Sequence, residues 1–320
     1  MAKILYLSTH EILEYDEISL FTEIGHQVFS MGAYTTSNKG GAMRGEIPDL
    51  YQDEALKAIA IQCSKENLHP ELVNWADLII SMHNSKIPVF PVTKGVAKEY
   101  ENAPEQPWIV KNWHLLKNKR LIWRSIGQSQ SVIERELLPY KNQGLQIVRY
   151  SPKERNIPDY AGEDAIIRFY KDPEEYKGWI GEKKVVVNFT QSLKKRGEHC
   201  GYQVIMNATE GFDRKIYGPG NDDLGKISGG VVSYDELKSM LRESRVFIYY
   251  GTAPASYTLS LVEAMMTGIP VVAAGSGFMR NLYNQDTNEI ADIIQNGANG
   301  FVSDNIQDLR NSIDLLMKDY

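Results

Sequence analysis

The chain has 320 residues and carries 35 Lys and Arg against 41 Asp and Glu, a formal net charge of −6. That length makes two domains the expectation, and the acidic balance gives no general attraction to a nucleic-acid backbone. Its two cysteines, Cys63 and Cys200, exclude a disulfide framework or a structural zinc site.

In chain order, the first half alternates short apolar runs with helical patterns. A strand is expected at 4–7, a helix at 15–23 and a strand at 27–31, with Gly25 where a helix end needs a left-handed residue. A loop of glycine and small polar residues, 32–45, leads to a helix near 53–65. A buried strand at 77–82 ends at His83; a helix over 108–116 and a strand at 120–123 follow. A helix at 131–138 and a strand at 146–150 close this half at Ser151 and Pro152.

Residues 153–183 are mostly polar and carry the prolines and glycines of a connector. A second alternation begins at 184. It has a strand at 185–189, a helix at 202–210 and a strand at 214–217 closed by Gly218, Pro219 and Gly220. A short edge strand at 231–232 precedes a helix at 235–243, where Ser233 and Glu236 have capping-box spacing. The richest stretch is 246–275: a buried strand, a polar loop, a short helix bearing Glu263, and a second buried strand at 269–274. Helices near 289–296 and at 305–318 finish the chain. The expectation is an α/β protein with two parallel sheets covered on both faces. Its domains run 1–152 and 184–304, joined by 153–183 and followed by a terminal helix at 305–320.

Residues 256–260 would put backbone N–H groups at a helix N-terminus, where the dipole favours an anion. They also lie on the carboxyl side of a parallel strand, where open α/β sheets bind ligands. Three other patterns fail their chemistry. The 220–226 loop has Ile227 where a phosphate loop needs a hydroxyl, and Asp222 and Asp223 repel phosphate. A zinc-peptidase reading of His10 and Glu11 meets Glu14 where the second histidine belongs. Gly275 and Gly277 lack the third glycine of a dinucleotide turn, because Arg280 occupies it. There is no Asp-x-Asp pair, so no metal is expected. No apolar run reaches the ~20 residues that span a bilayer. Met1, Ala2 and Lys3 enter a strand instead of a leader. The expected setting is a reducing, cytoplasmic one.

Several ordered segments carry a resemblance. VNFTQSLKKRG at 187–197, IYGPGN at 216–221, and YTLSLVEAMMTGIPVV at 257–272 are the strongest. With Val232–Leu237 and Ser244–Tyr250, the second half resembles the donor-binding domain of retaining glycosyltransferases of the GT-B fold, the family 4-like group that uses nucleotide sugars. The resemblance implies two Rossmann-like parallel-sheet domains facing a central cleft.

By that resemblance, Glu263 accepts hydrogen bonds from two adjacent ribose hydroxyls; read as residues alone, it is also an acid near a helix N-terminus, favoured by the dipole. Arg196 falls at the phosphate-binding cation, beside Lys195 and Lys194, where it would stabilise the departing diphosphate; a solvated basic turn is the other reading. Gly218, Tyr257, Thr258, Leu259 and Ser260 complete the implied donor site, and His83 falls where the family contacts the sugar. His10, Arg124 and Ser125 also follow strands toward the expected cleft. Two positions depart from the pattern: Ala255 stands where the family has the first glutamate of its E-x7-E pair, and Gln191 stands where it has an arginine.

The implied function is retaining transfer of a sugar from a nucleotide-sugar donor to a sugar, lipid-linked or other hydroxyl acceptor, without metal or cofactor. A non-catalytic GT-B scaffold, favoured by Ala255 and Gln191, and a viral-type transferase acting on a modified DNA base stay open. The basic aromatic stretch with Lys111, His114, Lys117, Lys119, Arg120, Trp108 and Trp113 would meet an anionic acceptor or a membrane surface, or else form a solvated helix face with its tryptophans packed inward.

Overall fold

In the computed structural model, the described residues are 1–8, 10–31, 53–63, 67–82, 108–127, 129–279, 282 and 285–318. His83, Arg280 and the 32–45 loop lie outside them. The chain divides into two compact units. One comprises 1–152 with 159–170; the other comprises 153–158 with 171–320. The stretch 153–183 is thus shared between the units.

In the first unit, β1 (Lys3–Leu7), β2 (Gln27–Ser30), β3 (Leu78–Met82), β4 (Arg120–Arg124), β5 (Gln146–Arg149) and β6 (Ala165–Ile166) form one sheet. Its order is β2-β1-β3-β4-β5-β6 and every pairing is parallel. The helices are α1 (Glu11–Glu23), α2 (Glu54–Ala60), α3 (Pro70–Trp75), α4 (Trp108–Leu116) and α5 (Ser131–Lys141). Leu5, Leu7, Phe29, Ile79, Leu121, Trp123 and Ile147 from the strands bury against Leu56, Leu72, Leu116 and Leu137 from the helices. Parallel crossovers cover both faces of such a sheet, hence its nearly unbroken apolar strands. Gly25 adopts φ +89° directly after α1, as its place at a helix end requires.

Three features depart from the pattern of the sequence. Helix α3 was not foreseen; its histidine cap and first-position proline are the signals that specify it. Strand β6 is two residues long and lies in the polar stretch, too short to show periodicity. Helix α5 continues through Pro139 to Lys141, and Tyr140 beyond the proline packs on Trp113 at a ring distance of 4.9 Å.

Two buried ion pairs stiffen this unit. Arg149 and Glu134 are both fully buried and meet in two parallel hydrogen bonds of 2.7 Å. Glu134 also accepts from Ser129 and from the Ala161 amide, while Arg149 donates to the Gly162 carbonyl. Trp123 and Tyr160 lie 5.2 and 4.6 Å from the guanidinium. Arg124 and Glu17 pair at 2.5 Å, and Tyr6 donates to the same carboxylate. Burial, then the Glu17 charge, holds the Tyr6 phenol well above its ordinary pKa.

In the second unit, β7 (Lys183–Phe189), β8 (Arg214–Tyr217), β9 (Ser228–Gly230), β10 (Ser244–Tyr249), β11 (Val271–Ala274) and β12 (Phe301–Ser303) pair in parallel in the order β12-β11-β10-β7-β8-β9. Around them lie α6 (Leu193–Arg196), α7 (Tyr202–Ala208), α8 (Tyr234–Glu243), α9 (Leu259–Thr267), α10 (Ile290–Ile293) and α11 (Ile306–Lys318). The capping box at Ser233 and Glu236 is present. The edge strand forms at Ser228–Gly230, not at 231–232. A Cβ at Gly229 would stand 2.2 Å from the Tyr217 ring, so only glycine pairs there, and Val231 is 70% exposed beyond it. The fold is α/β throughout, two Rossmann-like parallel-sheet units.

Removing one partner of a buried pair strands the other charge in a low dielectric. Arg149→Met is expected to lower the unfolding free energy of the first unit by about 3–5 kcal/mol in urea titration. Glu54→Ala, at the exposed Lys57 pair, should leave the midpoint unchanged within error.

Candidate nucleotide site of the second unit

Strand order in the second unit reverses between β7 and β10. Loops leaving those two strands at their carboxyl ends part there, and such a switch point is where open α/β sheets bind ligands in the crevice between loops. The loop after β7 carries 190–192 and then the single turn α6; the loop after β10 carries 250–258 and then α9.

The first loop is held by its neighbour. Ser192 takes a left-handed conformation, φ +48°, and its amide donates to the Pro219 carbonyl at 2.8 Å. Asn221, 1% exposed, accepts from the Leu193 amide and donates to the Thr190 and Gly218 carbonyls. A Cβ on Gly218, which has φ +126°, would stand 3.1 Å from the Gln191 backbone. Glycine there permits two backbones to touch. Arg196 ends α6, half-buried, and its guanidinium donates to the Thr252 hydroxyl at 3.4 Å, so it links the two sides of the switch point. Lys194 and Lys195 are exposed on the same turn.

Helix α9 begins after Thr258 and is closed by Gly268 at φ +89°. The Thr258 amide is already engaged: it donates to the Tyr249 hydroxyl at 2.9 Å, with Thr258 Oγ1 3.2 Å from that oxygen and 3.0 Å from Ser260 Oγ. Leu259 and Ser260 carry the open amides of this first turn among the described residues. Burial pushes the Tyr249 phenol up to about 12, so it stays a neutral hydroxyl. Tyr257, which precedes Thr258, is buried.

Glu263 lies on α9 and is 5% exposed. Its Oε1 receives Lys171 Nζ at 2.7 Å, the Tyr176 hydroxyl at 3.2 Å and the Tyr234 hydroxyl at 3.5 Å. Oε2 takes no hydrogen bond among the described residues. Lys171, Tyr176 and Tyr234 were not singled out from sequence. A lysine in a polar stretch reads as solvated, although Asp172 and Pro173 beside it open a capped turn that ends at Tyr176, with Trp179 shortly after, and two aromatics there are a signal for docking.

Other candidates are placed less openly. His10 caps α1 through Nδ1, at 3.3 Å from the Leu13 amide. Arg124 is committed to Glu17, and Ser125 is buried, accepting from the Tyr150 amide. In the basic aromatic stretch, Trp113 packs on Tyr140 and donates to Gln143, while Lys119 donates to the Asn74 and Ala76 carbonyls; the side chains of Trp108 and Lys111 lie outside the described residues. The Gly275–Gly277 turn holds the Asp304 carboxylate, which accepts from the Gly277 amide at 2.7 Å. Burial and then Arg196 lower the His199 pKa, which favours its neutral form beside the crevice. No group of three or more His, Cys, Asp or Glu among the described residues could hold a metal ion, and no helix among them is long and apolar enough to cross a membrane.

No protein-family model and no curated sequence matches the chain. Solved structures match along all of it. HepE from Anabaena, in complex with UDP and glucose, superposes with TM-score 0.64 at 16% identity, covering 100% of this chain and 90% of that one. Its complex with UDP-glucose gives 0.63 at 14%, over 99% and 90%. A glycosyltransferase from Rickettsia africae gives 0.59 at 11%, over 99% and 88%. The chain has the GT-B fold of these structures.

Asn221→Ala removes the brace and leaves the Leu193 amide without its acceptor. The expected cost is about 1–3 kcal/mol in the second unit's stability, with amide hydrogen exchange accelerated at Leu193 and Ser192. Unchanged exchange there would show that Asn221 does not hold the loop.

Proposed function

We propose that the chain is a glycosyltransferase that moves a sugar from a nucleotide-sugar donor to an acceptor hydroxyl. The observation that carries this reading is the switch-point crevice of the second unit, where Arg196, the Leu259 and Ser260 amides and the unshared Oε2 of Glu263 belong to adjacent loops and one helix. A cation and open amides suit a diphosphate, whose charge grows as it leaves. A carboxylate oxygen with vacant lone pairs suits the vicinal hydroxyls of ribose. The relatives in fold point the same way, since HepE binds UDP and UDP-glucose, and a UDP-sugar is the first donor to try.

We assign Arg196 to the diphosphate, with Lys195 at its outer edge, Gly218 to the close backbone approach beneath it, and Glu263 to the ribose. Tyr257 and Thr258 shape the turn that Leu259 and Ser260 open. His83 keeps its assignment to the sugar. Transfer with retention and without metal belongs to the same proposal: the leaving phosphate takes the acceptor's proton as the acceptor enters on its face. Two free buried thiols, Cys63 and Cys200, fit action in a reducing cytoplasm.

A nucleotide-binding protein without transfer is the second reading. It is favoured by Ala255, which has no polar side-chain atom, and by the Thr258 amide, already taken by Tyr249. Calorimetry and turnover separate the two. The transferase is expected to bind UDP and to release UDP from UDP-glucose, slowly without acceptor. Arg196→Ala should weaken UDP binding by about ten-fold or more, since it removes a charge-assisted contact, and should flatten the salt dependence. Binding without any turnover across a panel of donors supports the second reading; no binding of any nucleoside diphosphate rejects both.

A further inference from the structure

The 171–181 strap carries a buried lysine to the carboxylate of helix α9. Lys171 Nζ is fully buried, and its ammonium lies 2.7 Å from Glu263 Oε1 and 3.2 Å from the Tyr234 hydroxyl. The rings of Tyr176 and Tyr234 flank it at 5.7 and 5.5 Å, nearly perpendicular to each other at 86°. The strap is pinned to the unit that carries Glu263. Asp172 caps its turn, Arg242 donates to the Lys177 and Glu175 carbonyls, the Trp179 indole donates to the Ser244 carbonyl, and the Trp179 amide donates to Thr267. A lysine held this way cannot swing out to solvent without unpacking two tyrosines.

Burying an ion pair is costly unless its geometry also satisfies the remaining polar atoms. Here the three contacts made to Glu263 by described residues converge on one carboxylate oxygen. Oε1 receives an ammonium and two phenols, and Oε2 receives none among the described residues. That asymmetry fixes the plane and rotamer of the carboxylate and directs its unshared lone pairs. It also cancels the negative charge of Glu263, so that a doubly charged diphosphate can approach without like-charge repulsion.

We propose that Lys171, with Tyr176, is the positioning residue that aims Glu263 Oε2 at the vicinal hydroxyls of a ribonucleoside diphosphate and so sets the preference for ribose over 2′-deoxyribose; this rests on the nucleotide reading of Glu263 given above. A site built to pair a hydroxyl rejects the ligand that lacks it, because its own polar group is left unmatched. Loss of aim should therefore weaken the ribonucleotide selectively. Loss of fold alone would weaken both nucleotides together.

The test is calorimetric affinity for UDP and 2′-deoxy-UDP, measured on the full chain and on Lys171→Met, Tyr176→Phe and Glu263→Gln, with circular dichroism of each. If UDP does not bind, the same is done with the GDP, ADP or CDP pair that does. The wild-type chain should prefer the ribonucleotide by about ten-fold or more. Lys171→Met should shrink that preference to under about three-fold, mainly by weakening the ribonucleotide, and Tyr176→Phe should give an intermediate value. Lys171→Met with the preference intact, or with equal loss of both nucleotides, overturns the proposal while the reading of Glu263 stands. Should Lys171→Met fail to fold, Tyr176→Phe decides: an unchanged preference overturns the proposal. Glu263→Gln with an undiminished preference, or a wild-type chain that shows none, overturns the ribose role of Glu263 itself.

Discussion

When every strand of a sheet runs the same way, each crossover must return the chain to the edge where it began. Loops that follow strands therefore gather along one edge, and reversal of strand order is the one place where they part. In the second unit that place lies between β7 and β10. Arg196 leaves one side of it, and Thr252 and helix α9 leave the other. The site has no architecture of its own beyond this. The loop after β7 is short, and Asn221 and Gly218 need only bind two backbones that are already adjacent.

Buried charge is handled alike in both units, and with different consequences. Arg149 is matched bidentately to Glu134, and Arg124 is matched to Glu17; each pair fastens a strand end of the first unit to a helix. The neighbouring hydroxyls, amides and rings complete those pairs. Lys171 and Glu263 form the corresponding pair of the second unit, but their contacts fall on one oxygen alone. A symmetric pair is a fastener. An asymmetric one has a direction.

Much of the fold was written in apolar runs and punctuation. The unit from β10 to β11 was legible to within two residues, because its strands are apolar after the polar Ser244 and Arg245 that open β10, and Gly268 marks the helix end. The capping box of α8 was equally plain from Ser233 and Glu236. Short edge strands were not, since β6 has two residues and β9 is built on glycines that carry no periodicity. The site was legible where it is local. The 187–197 and 257–263 segments point to Arg196 and the α9 turn as candidates, whereas the pairing of Lys171 with Glu263 joins distant positions through side chains. The Thr258 amide was expected to face phosphate, but an aromatic hydroxyl from the preceding strand reached it first, a contact that depends on the bend of the loop.

The turn from Gly275 to Gly277 follows β11 at the same sheet edge, and in outline it resembles a dinucleotide loop. A carboxylate from its own chain fills it: Asp304 accepts from the Gly277 amide and lies where a Cβ on Gly275 would sit 2.3 Å away. That turn is self-liganded. The Asp304 charge and the occupied Gly277 amide leave that turn nothing to offer an anion, and the glycines there serve the packing of the chain on itself.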